Sequence, residues 1–572
     1  MRKSVNRVYY FSHLFVSDGT NSKEGMVNIM EKHFKLILPD EGADVYMPRQ
    51  GQTWGYRYGP SIMVHDGICE AWFASPGDSF EADWFTYLRS EDGGKTWSYE
   101  KVVMAPTPDS MDWFSVCDPA VIKFGGYYYI GYTSTLFKDG GGVCNNAFVA
   151  RSKSPTGPFL KWTGSGWGET RTTEDGTCTW IGKPAPVIYY DEVWQDWGAG
   201  EFSFVVKGDT LYMYYTWTAS LLGGGFSSTT RVASANINDE NWPGNITLHG
   251  VASVRRSGSN DSYDMVYCED LDKFIALSTD RRFSEGSMLA VYESNDGLKY
   301  RRVNDIKVNT SYMLHNCGIS GDELHHIKSG DLMILGYAYG NQWGKWGTRF
   351  HRYSFEAMDE DYYSEEQMSN VTRPVELWPV EKDLKKTYIS LEKPHYIRVH
   401  ENESKDVLLK LFNVCYDTEP IAENVEFSNY DTSIIEIDAK NMKVKGKKQG
   451  YTYVDARYDD LFCEFLVYVY PEGFVFDDPN KTVVSFTPML KVYNPTLGGR
   501  ERKQIRGMAR YSDDTWYEIC EKKDNVKYAV EDESVITVDE NGVIYPVGAC
   551  GKTKVRVSCE NHEFEVEVVV SE

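Results

Sequence analysis

A sequence pattern typical of two successive β-strands recurs five times in the first two thirds of the 572-residue chain. In its clearest copy Asp118 opens a short apolar strand, Gly125 and Gly126 form a turn, and the aromatic stretch Tyr127–Tyr132 follows. A glycine turn between two such runs is typical of a β-hairpin. The five copies begin at Gly59, Asp118, Glu201, Asp264 and His315. Antiparallel repeats of this length predict a five-bladed β-propeller with four strands in each blade.

The openers of the five hairpins include three carboxylates, namely those of Asp118, Glu201 and Asp264. The first strand of each propeller blade lines the central channel, so residues at its opening end converge although they are far apart in sequence. Converging carboxylates are the groups that hydrolyse glycosidic bonds. We therefore expect these three residues to be catalytic. Asp261, three residues before Asp264, either replaces it or contacts the substrate.

Several aromatic residues and one histidine are candidates for substrate binding. Trp54 and Tyr56 precede the first hairpin, and Trp343 and Trp346 lie in a glycine-rich loop after the fifth. Their rings either stack on a sugar or pack within the propeller. His315 opens the fifth hairpin and is expected to face the channel as a substrate or metal ligand. The alternative for His315 is an ordinary hydrogen-bonded structural role.

Composition excludes some classes of partner. The net charge of −24 and the isoelectric point near 5.0 oppose binding to nucleic acid or to an anionic membrane surface. Aromatic residues make up 14% of the chain, which suits a saccharide partner. No apolar run approaches the length of a membrane span. We expect a neutral oligosaccharide or polysaccharide as the partner, with no nucleic acid and no membrane insertion.

A second internal repeat follows the propeller. Ser433–Asp438 matches Ser534–Asp539 at an offset of 101 residues, and Gly450 matches Gly551 at that same offset. Alternating apolar residues and frequent turns predict two β-sandwiches, at 386–471 and 472–572. They follow a propeller domain with an N-terminal extension at 1–360 and a connector at 361–385. The first sandwich has no tryptophan and the second has only Trp516, which favours spacer modules over carbohydrate-binding ones.

The propeller region resembles glycoside hydrolase family 43 and its clan, which includes families 32 and 117. The resemblance rests on Asp118 and Pro119, on Ser154–Phe159 and on Gly198–Ser203, and it extends over residues 50–355. It implies hydrolysis of an arabinoside, a xyloside or a related furanoside or pyranoside, with Glu201 as the general acid and Asp118 tuning its pKa.

This chain departs from the family pattern at the general base. The resemblance implies a blade-one aspartate at position 59, where the chain has glycine. The base then comes from another residue, and we favour Asp264 because it opens an inner strand. The candidates are Asp44, Glu70, Asp83 and Asp264.

The two C-terminal modules resemble bacterial immunoglobulin-like group 2 domains, which usually occur on extracellular or cell-surface proteins. This resemblance implies a location outside the cell. The residues Met1–Val16 show no signal-peptide pattern, which leaves a cytoplasmic location open.

Two other functions remain open at the level of sequence. One is a metal-dependent carbohydrate deacetylase on the same propeller, with Asp118 and His315 as ligands. The other is an inactive carbohydrate-binding surface protein, which the glycine at position 59 favours. Hydrolysis is expected to require no cofactor, and a structural calcium or other cation in the propeller channel is left open.

Overall fold

The structure is a computed structural model. It describes residues 33–49, 51–77, 83–107, 110–137, 143–172, 178–181, 183–193, 197–221, 224, 226–254, 261–358, 362–365, 385–392, 394–413 and 418–572. Within these ranges the regular elements are β-strands and short 3₁₀ turns, at Trp242–Gly244, Ala439–Asn441 and Lys522–Asp524. The all-β prediction is confirmed. None of the described residues forms a helix long and apolar enough to cross a membrane.

Five antiparallel four-stranded units form the blades of the propeller, which confirms the predicted blade number. Blade 1 comprises Tyr58–His65, Ile68–Pro76, Asp83–Ser90 and Ser98–Met104. Blade 2 comprises Cys117–Phe124, Tyr127–Phe137, Val143–Ser152 and Leu160–Lys161. Blade 3 comprises Ala199–Lys207, Thr210–Ser220, Phe226–Asn236 and Thr247–Val254. Blade 4 comprises Tyr263–Cys268, Lys273–Asp280, Met288–Ser294 and Arg301–Ile306.

Blade 5 takes its strands from both ends of the propeller sequence. Its inner three strands are Leu314–Ile319, Ile334–Gln342 and Lys345–Arg352, and its outer strand is the early segment Ala43–Tyr46. A second early strand, His33–Ile37, pairs with Ser354–Met358. The five inner strands contact one another in cyclic order, so the ring is closed. Two short strands extend blade 4, at His326–Ile327 and Tyr363–Ser364.

Four inner strands begin with the same two-residue β-bulge. The bulged pairs start at Gly59, Asp118, Glu201 and His315, which are four of the five predicted openers. The first three have φ of 57°, 53° and 53°, in the left-handed region. A non-glycine residue pays about 1 kcal/mol or more for this conformation. The bulge gives the openers equivalent positions at one end of the channel.

Two β-sandwich modules follow the propeller, and each has its own apolar core. The first has the strands Lys386–Leu391, Tyr396–His400, Ser404–Asp406, Leu409–Asn413, Thr418–Ile421, Glu426–Ser428, Ile435–Asp438, Lys443–Gly446, Gly450–Tyr458 and Leu461–Tyr470. The second has Val483–Pro488, Val492–Tyr493, Gly507–Tyr511, Trp516–Ile519, Val526–Val530, Ile536–Val538, Ile544–Pro546, Gly551–Cys559 and His562–Val570. Gly450 pairs with Val469 and Gly551 pairs with Val570, so the 101-residue repeat also has one register. Their membership of the immunoglobulin-like group stays a prediction.

Both sandwiches pack against the propeller. Trp84 of blade 1 packs on Phe412 of the first sandwich, with ring centroids 5.5 Å apart. Arg506 of the second sandwich is 1% exposed and donates hydrogen bonds to the carbonyls of Tyr190 and Glu192, ahead of blade 3. Most of the predicted connector, 366–384, lies outside the described residues.

Candidate active site

Thr133 joins the two predicted catalytic residues of blades 2 and 3. Its Oγ1 accepts a hydrogen bond of 2.7 Å from the backbone N–H of Glu201, and its hydroxyl also bonds to the Asp118 side chain. Gly200 permits this approach, because a Cβ there would lie 2.5 Å from Thr133 Oγ1. Asp118 and Glu201 therefore start neighbouring inner strands on either side of one hydroxyl group.

Asp83 adds a third carboxylate from blade 1. It comes from the third strand, and its two oxygens accept hydrogen bonds from the hydroxyls of Tyr56 and Tyr58, at 2.6 Å and 2.8 Å. Burial, and next the negative charge of Asp83, raise the pKa of Asp118 to about 7. Burial, Asp118, Asp83 and Glu201 together raise the pKa of the Cys117 thiol, so all three carboxylates surround this buried cysteine. Asp118 thus holds a proton over part of the neutral pH range.

Glu201 lies among hydrogen-bond donors. Thr216 Oγ1 donates to Glu201 Oε2 at 2.6 Å, and Asn316 Nδ2 donates to Oε1 at 3.5 Å. The side chain is only 6% exposed. Donors of this kind stabilise a carboxylate in its ionised form. Thr216 and Asn316 therefore fix the position of the Glu201 carboxylate next to Asp118.

Asp261 belongs to the same cluster. Its carboxylate forms an ion pair with Arg282, from Nε at 3.0 Å and Nη1 at 3.3 Å, and contacts His315 Nδ1 at 3.1 Å. Asn316 Nδ2 lies 3.3 Å from Asp261 Oδ1 and so bridges Asp261 to Glu201. Arg282, His315 and Asn316 thereby hold the Asp261 side chain beside the catalytic candidates.

His315 contacts Asp261 of the cluster, and its surroundings do not fit a bound cation. Its ring stacks on Tyr58 at a centroid distance of 5.0 Å, and Arg282 Nη2 lies 3.4 Å from its Nε2. Burial and the Arg282 charge lower the pKa of His315 to about 4, so the ring is neutral. The guanidinium would repel a metal ion at Nε2. Among the described residues, no three His, Cys, Asp or Glu side chains are grouped to hold a metal.

Asp264 has different surroundings from the other openers. It accepts hydrogen bonds from Ser203 Oγ at 2.7 Å, from the backbone N–H of Ile319 at 2.8 Å and from that of Met265 at 3.1 Å. These donors belong to the inner strands of blades 3, 5 and 4, so Asp264 ties three blades together. Its predicted role as the general base stays a prediction, and this geometry gives it a structural role.

The other three candidate bases lie in different parts of the propeller. Asp44 pairs with Arg349 in the outer part of blade 5, at 2.8 Å and 3.0 Å. Glu70 accepts from the Tyr87 hydroxyl near the hairpin turn of blade 1, at the end of the strands away from Gly59. Asp83 is the one of the three whose charge acts on Asp118.

The aromatic candidates fall into two groups. Trp343 is 55% exposed beside the His315 cluster, with a centroid distance of 6.4 Å to that ring, and suits contact with a substrate. Trp346 and Tyr56 are buried, and the Tyr56 hydroxyl donates a hydrogen bond to Asp83. Trp54 packs closely over Gly344, next to Trp343.

Sequence reasoning missed Thr133, Asn316 and Arg282. Thr133 lies opposite Cys117 in the second strand of blade 2, and Asn316 is the second residue of the blade-5 bulge. Arg282 follows the second strand of blade 4, which ends at the same side of the sheet as the first strand begins. The antiparallel hairpin was the signal for Thr133 and Arg282, because the end of each second strand returns to the opener end, and Asn316 directly follows the opener His315.

Comparisons with known proteins give structural likenesses only. No family model matches the chain, and no curated protein gives a significant match. A family 117 glycoside hydrolase of Zobellia galactanivorans is 16% identical over 58% of this chain and 93% of that one, with a TM-score of 0.39. An α-L-arabinofuranosidase of Podospora anserina, in complex with cellotriose, is 9% identical over 57% and 98%, with a TM-score of 0.36. A family 43 enzyme of Xanthomonas citri is 13% identical over 58% and 97%, with a TM-score of 0.38. At such identities and scores these likenesses carry no information about substrate or catalytic residues.

Proposed function

We propose that the protein is a glycoside hydrolase acting on a neutral saccharide, such as an arabinoside, a xyloside or a related furanoside or pyranoside. One observation carries the proposal: Asp118 and Glu201 start neighbouring strands of the channel on either side of the Thr133 hydroxyl, and the pKa of Asp118 is raised to about 7. Cleavage of a glycosidic bond needs such a pair, with one protonated carboxylic acid and one carboxylate.

Asp118 is the proposed general acid. Its pKa of about 7 leaves it substantially protonated at neutral pH, and the charge of Asp83 helps to keep the proton in place. Protonation of the leaving-group oxygen by Asp118 accompanies breakage of the bond between that oxygen and the anomeric carbon. This assignment differs from the one that the family resemblance implies, in which Glu201 is the acid and Asp118 tunes it.

Glu201 is the proposed general base. Its carboxylate, held by Thr216 and Asn316, takes a proton from water while the water oxygen bonds to the anomeric carbon. Protons balance over the step, because Asp118 loses one and Glu201 gains one. Asp83 then has the tuning role, and the Arg282 and Asp261 pair supplies fixed charges beside the sugar.

The first experiment is a screen for turnover with aryl glycosides of α-L-arabinofuranose, β-D-xylose, β-D-galactofuranose and α-L-fucose. A substrate found this way is then compared as two glycosides, one with a dinitrophenyl leaving group and one with a poor alkyl leaving group. Asp118→Asn should lower kcat/KM for the alkyl glycoside by about 10²–10⁴-fold and spare the dinitrophenyl glycoside.

Glu201→Gln should instead impair both glycosides, and azide should restore part of the turnover of the dinitrophenyl glycoside by replacing the activated water. The reverse pattern, with leaving-group dependence in Glu201→Gln, would give the acid role to Glu201. Saccharide binding without turnover of any glycoside would argue for an inactive binding protein. Equal rates in both variants and the unaltered protein would place the active site elsewhere.

A further inference from the structure

The outer face of one sheet in the first sandwich carries tyrosines. Along the strands Gly450–Tyr458 and Leu461–Tyr470, residues alternate between the core and the outside. Tyr451, Tyr453 and Tyr468 point outward, and Tyr451 pairs with Tyr468 across the two strands. Their ring centroids are 6.1 Å apart. An outward sheet face that meets solvent usually has polar or charged side chains.

The second sandwich shows what the same positions contain when they serve only the fold. The 101-residue offset takes Tyr451 to Lys552, Tyr453 to Lys554 and Tyr468 to Val569. Lys552 forms an ion pair of 2.6 Å with Glu567, and Lys554 forms one of 2.6 Å with Glu565. Two modules with one register thus carry lysines and a valine on one face and three tyrosines at the corresponding positions of the other. The fold therefore does not require tyrosines there.

The tyrosines line a cleft formed by the first sandwich, the second sandwich and blade 2. Its volume is about 1210 Å³, and its lining includes Tyr451, Tyr468, Trp516, Tyr189 and Trp167. Tyr451 is 61% exposed, so packing between domains does not account for its ring. Pockets for small molecules usually measure about 300–1,000 Å³, and the larger size here suits a segment of a chain molecule.

The polar groups of the cleft indicate an uncharged ligand. Lys183 and Arg510 supply positive charge, Asp514 supplies negative charge, and Arg510 and Asp514 pair with each other. Hydroxyl-bearing rings combine an apolar face with a hydrogen-bonding edge. Pyranose and furanose rings have the complementary arrangement, because their faces carry C–H groups and their rims carry hydroxyls.

We propose that this cleft binds a segment of a neutral polysaccharide, through stacking on Tyr451 and Tyr468, at a site separate from the propeller channel. The choice of polymer rests on the proposed function, since we take it to be the one whose bonds the channel cleaves. The module would then hold the enzyme on its polymer, which differs from the spacer role expected from the tryptophan count.

The test measures binding of the full chain to soluble arabinan, xylan, arabinoxylan and galactan by affinity electrophoresis and calorimetry. The double variant Tyr451→Ala/Tyr468→Ala should lose at least about 10-fold in affinity, as expected from one to two lost stacking contacts. Tyr451→Phe, which keeps the ring, should bind within about 2-fold of the unaltered protein. The matched control is Lys552→Ala/Val569→Ala, at the equivalent positions of the second sandwich, and it should bind normally.

Two further measurements separate this proposal from the channel chemistry. Glu201→Gln should keep polysaccharide binding, and the double tyrosine variant should keep its rate on small aryl glycosides. Absence of binding by the unaltered protein to all four polymers would overturn the proposal, as would equal binding by the double variant. Loss of binding in the control variant of the second sandwich would also overturn it. Failure of the hydrolase proposal would appear separately, as absence of turnover with any aryl glycoside.

Discussion

Replacement of Asp83 by asparagine should move the pH dependence of hydrolysis. The pKa of Asp118 rises from an ordinary 3.8 to about 7, and burial is the larger cause. Asp83 is the second cause, and removal of one neighbouring charge typically changes a pKa by about one unit, which corresponds to about 1.4 kcal/mol. An asparagine oxygen still accepts from Tyr56 or Tyr58, so the variant removes mainly the charge.

The expected result is a shift of the basic limb of the kcat/KM profile from about pH 7 to about pH 6. Because the protonated fraction of Asp118 falls from about one half to about one tenth at pH 7, kcat/KM there should fall about 5-fold. At pH 5 the two proteins should have nearly equal rates.

The assay is the initial rate with the alkyl glycoside between pH 4.5 and 8.5. Glu70→Gln is the matched control, since Glu70 also accepts from a tyrosine hydroxyl in blade 1 but lies near the hairpin turn. It should leave the limb in place. A basic limb that stays near pH 7 in Asp83→Asn, or moves upward, would refute the coupling between Asp83 and Asp118.

Three further outcomes are expected. Asp118→Asn should stabilise the propeller by up to about 4 kcal/mol at pH 8 and by less at pH 5. The reason is that a carboxyl group with a raised pKa makes folding less favourable as the pH rises from 3.8 through about 7. Denaturant unfolding at the two pH values measures the gain, and an equal gain at both would contradict the prediction. Arg282→Gln should raise the pKa of His315 above about 4, since it removes a positive charge, and an unchanged NMR titration would contradict that. Arg506→Met should destabilise the second sandwich by about 3–5 kcal/mol, because Glu518 loses its buried partner, and calorimetry that shows an unchanged transition would contradict this.

Sequence predicted the propeller well because its signals are local. Each hairpin has its turn residues between two apolar strands, and four openers fall on the same bulge. The fourth blade was harder, since Asp261 and Asp264 lie three residues apart. The inner strand starts at Tyr263, so Asp261 lies before the strand and Asp264 lies within it. Asp261 consequently joins the acidic cluster, whereas Asp264 binds between the strands.

The remaining site residues depend on contacts that no single segment encodes. Asp83 reaches Asp118 from the third strand of its blade, through register across three strands. The exposed tyrosines of the first sandwich were likewise not predicted, because a count of tryptophans does not show which face of a sheet stays exposed to solvent. The cleft that Tyr451 lines exists only where the first sandwich meets the second sandwich and blade 2.

The shared bulge gives four inner strands equivalent backbone positions at the same end of the channel. Gly59 has the backbone conformation that Asp118 and Glu201 already adopt, and a Cβ added at Gly59 would meet Asp118 atoms only at 3.6 Å and 3.8 Å, which are ordinary contacts. A carboxylate could therefore move from one blade to another by a single codon change, with no rebuilding of the backbone. Evolution can thus exchange acidic, amide and imidazole side chains at equivalent opener positions. Proteins that descend from one propeller would keep the same backbone while the blade that carries each reacting group changes.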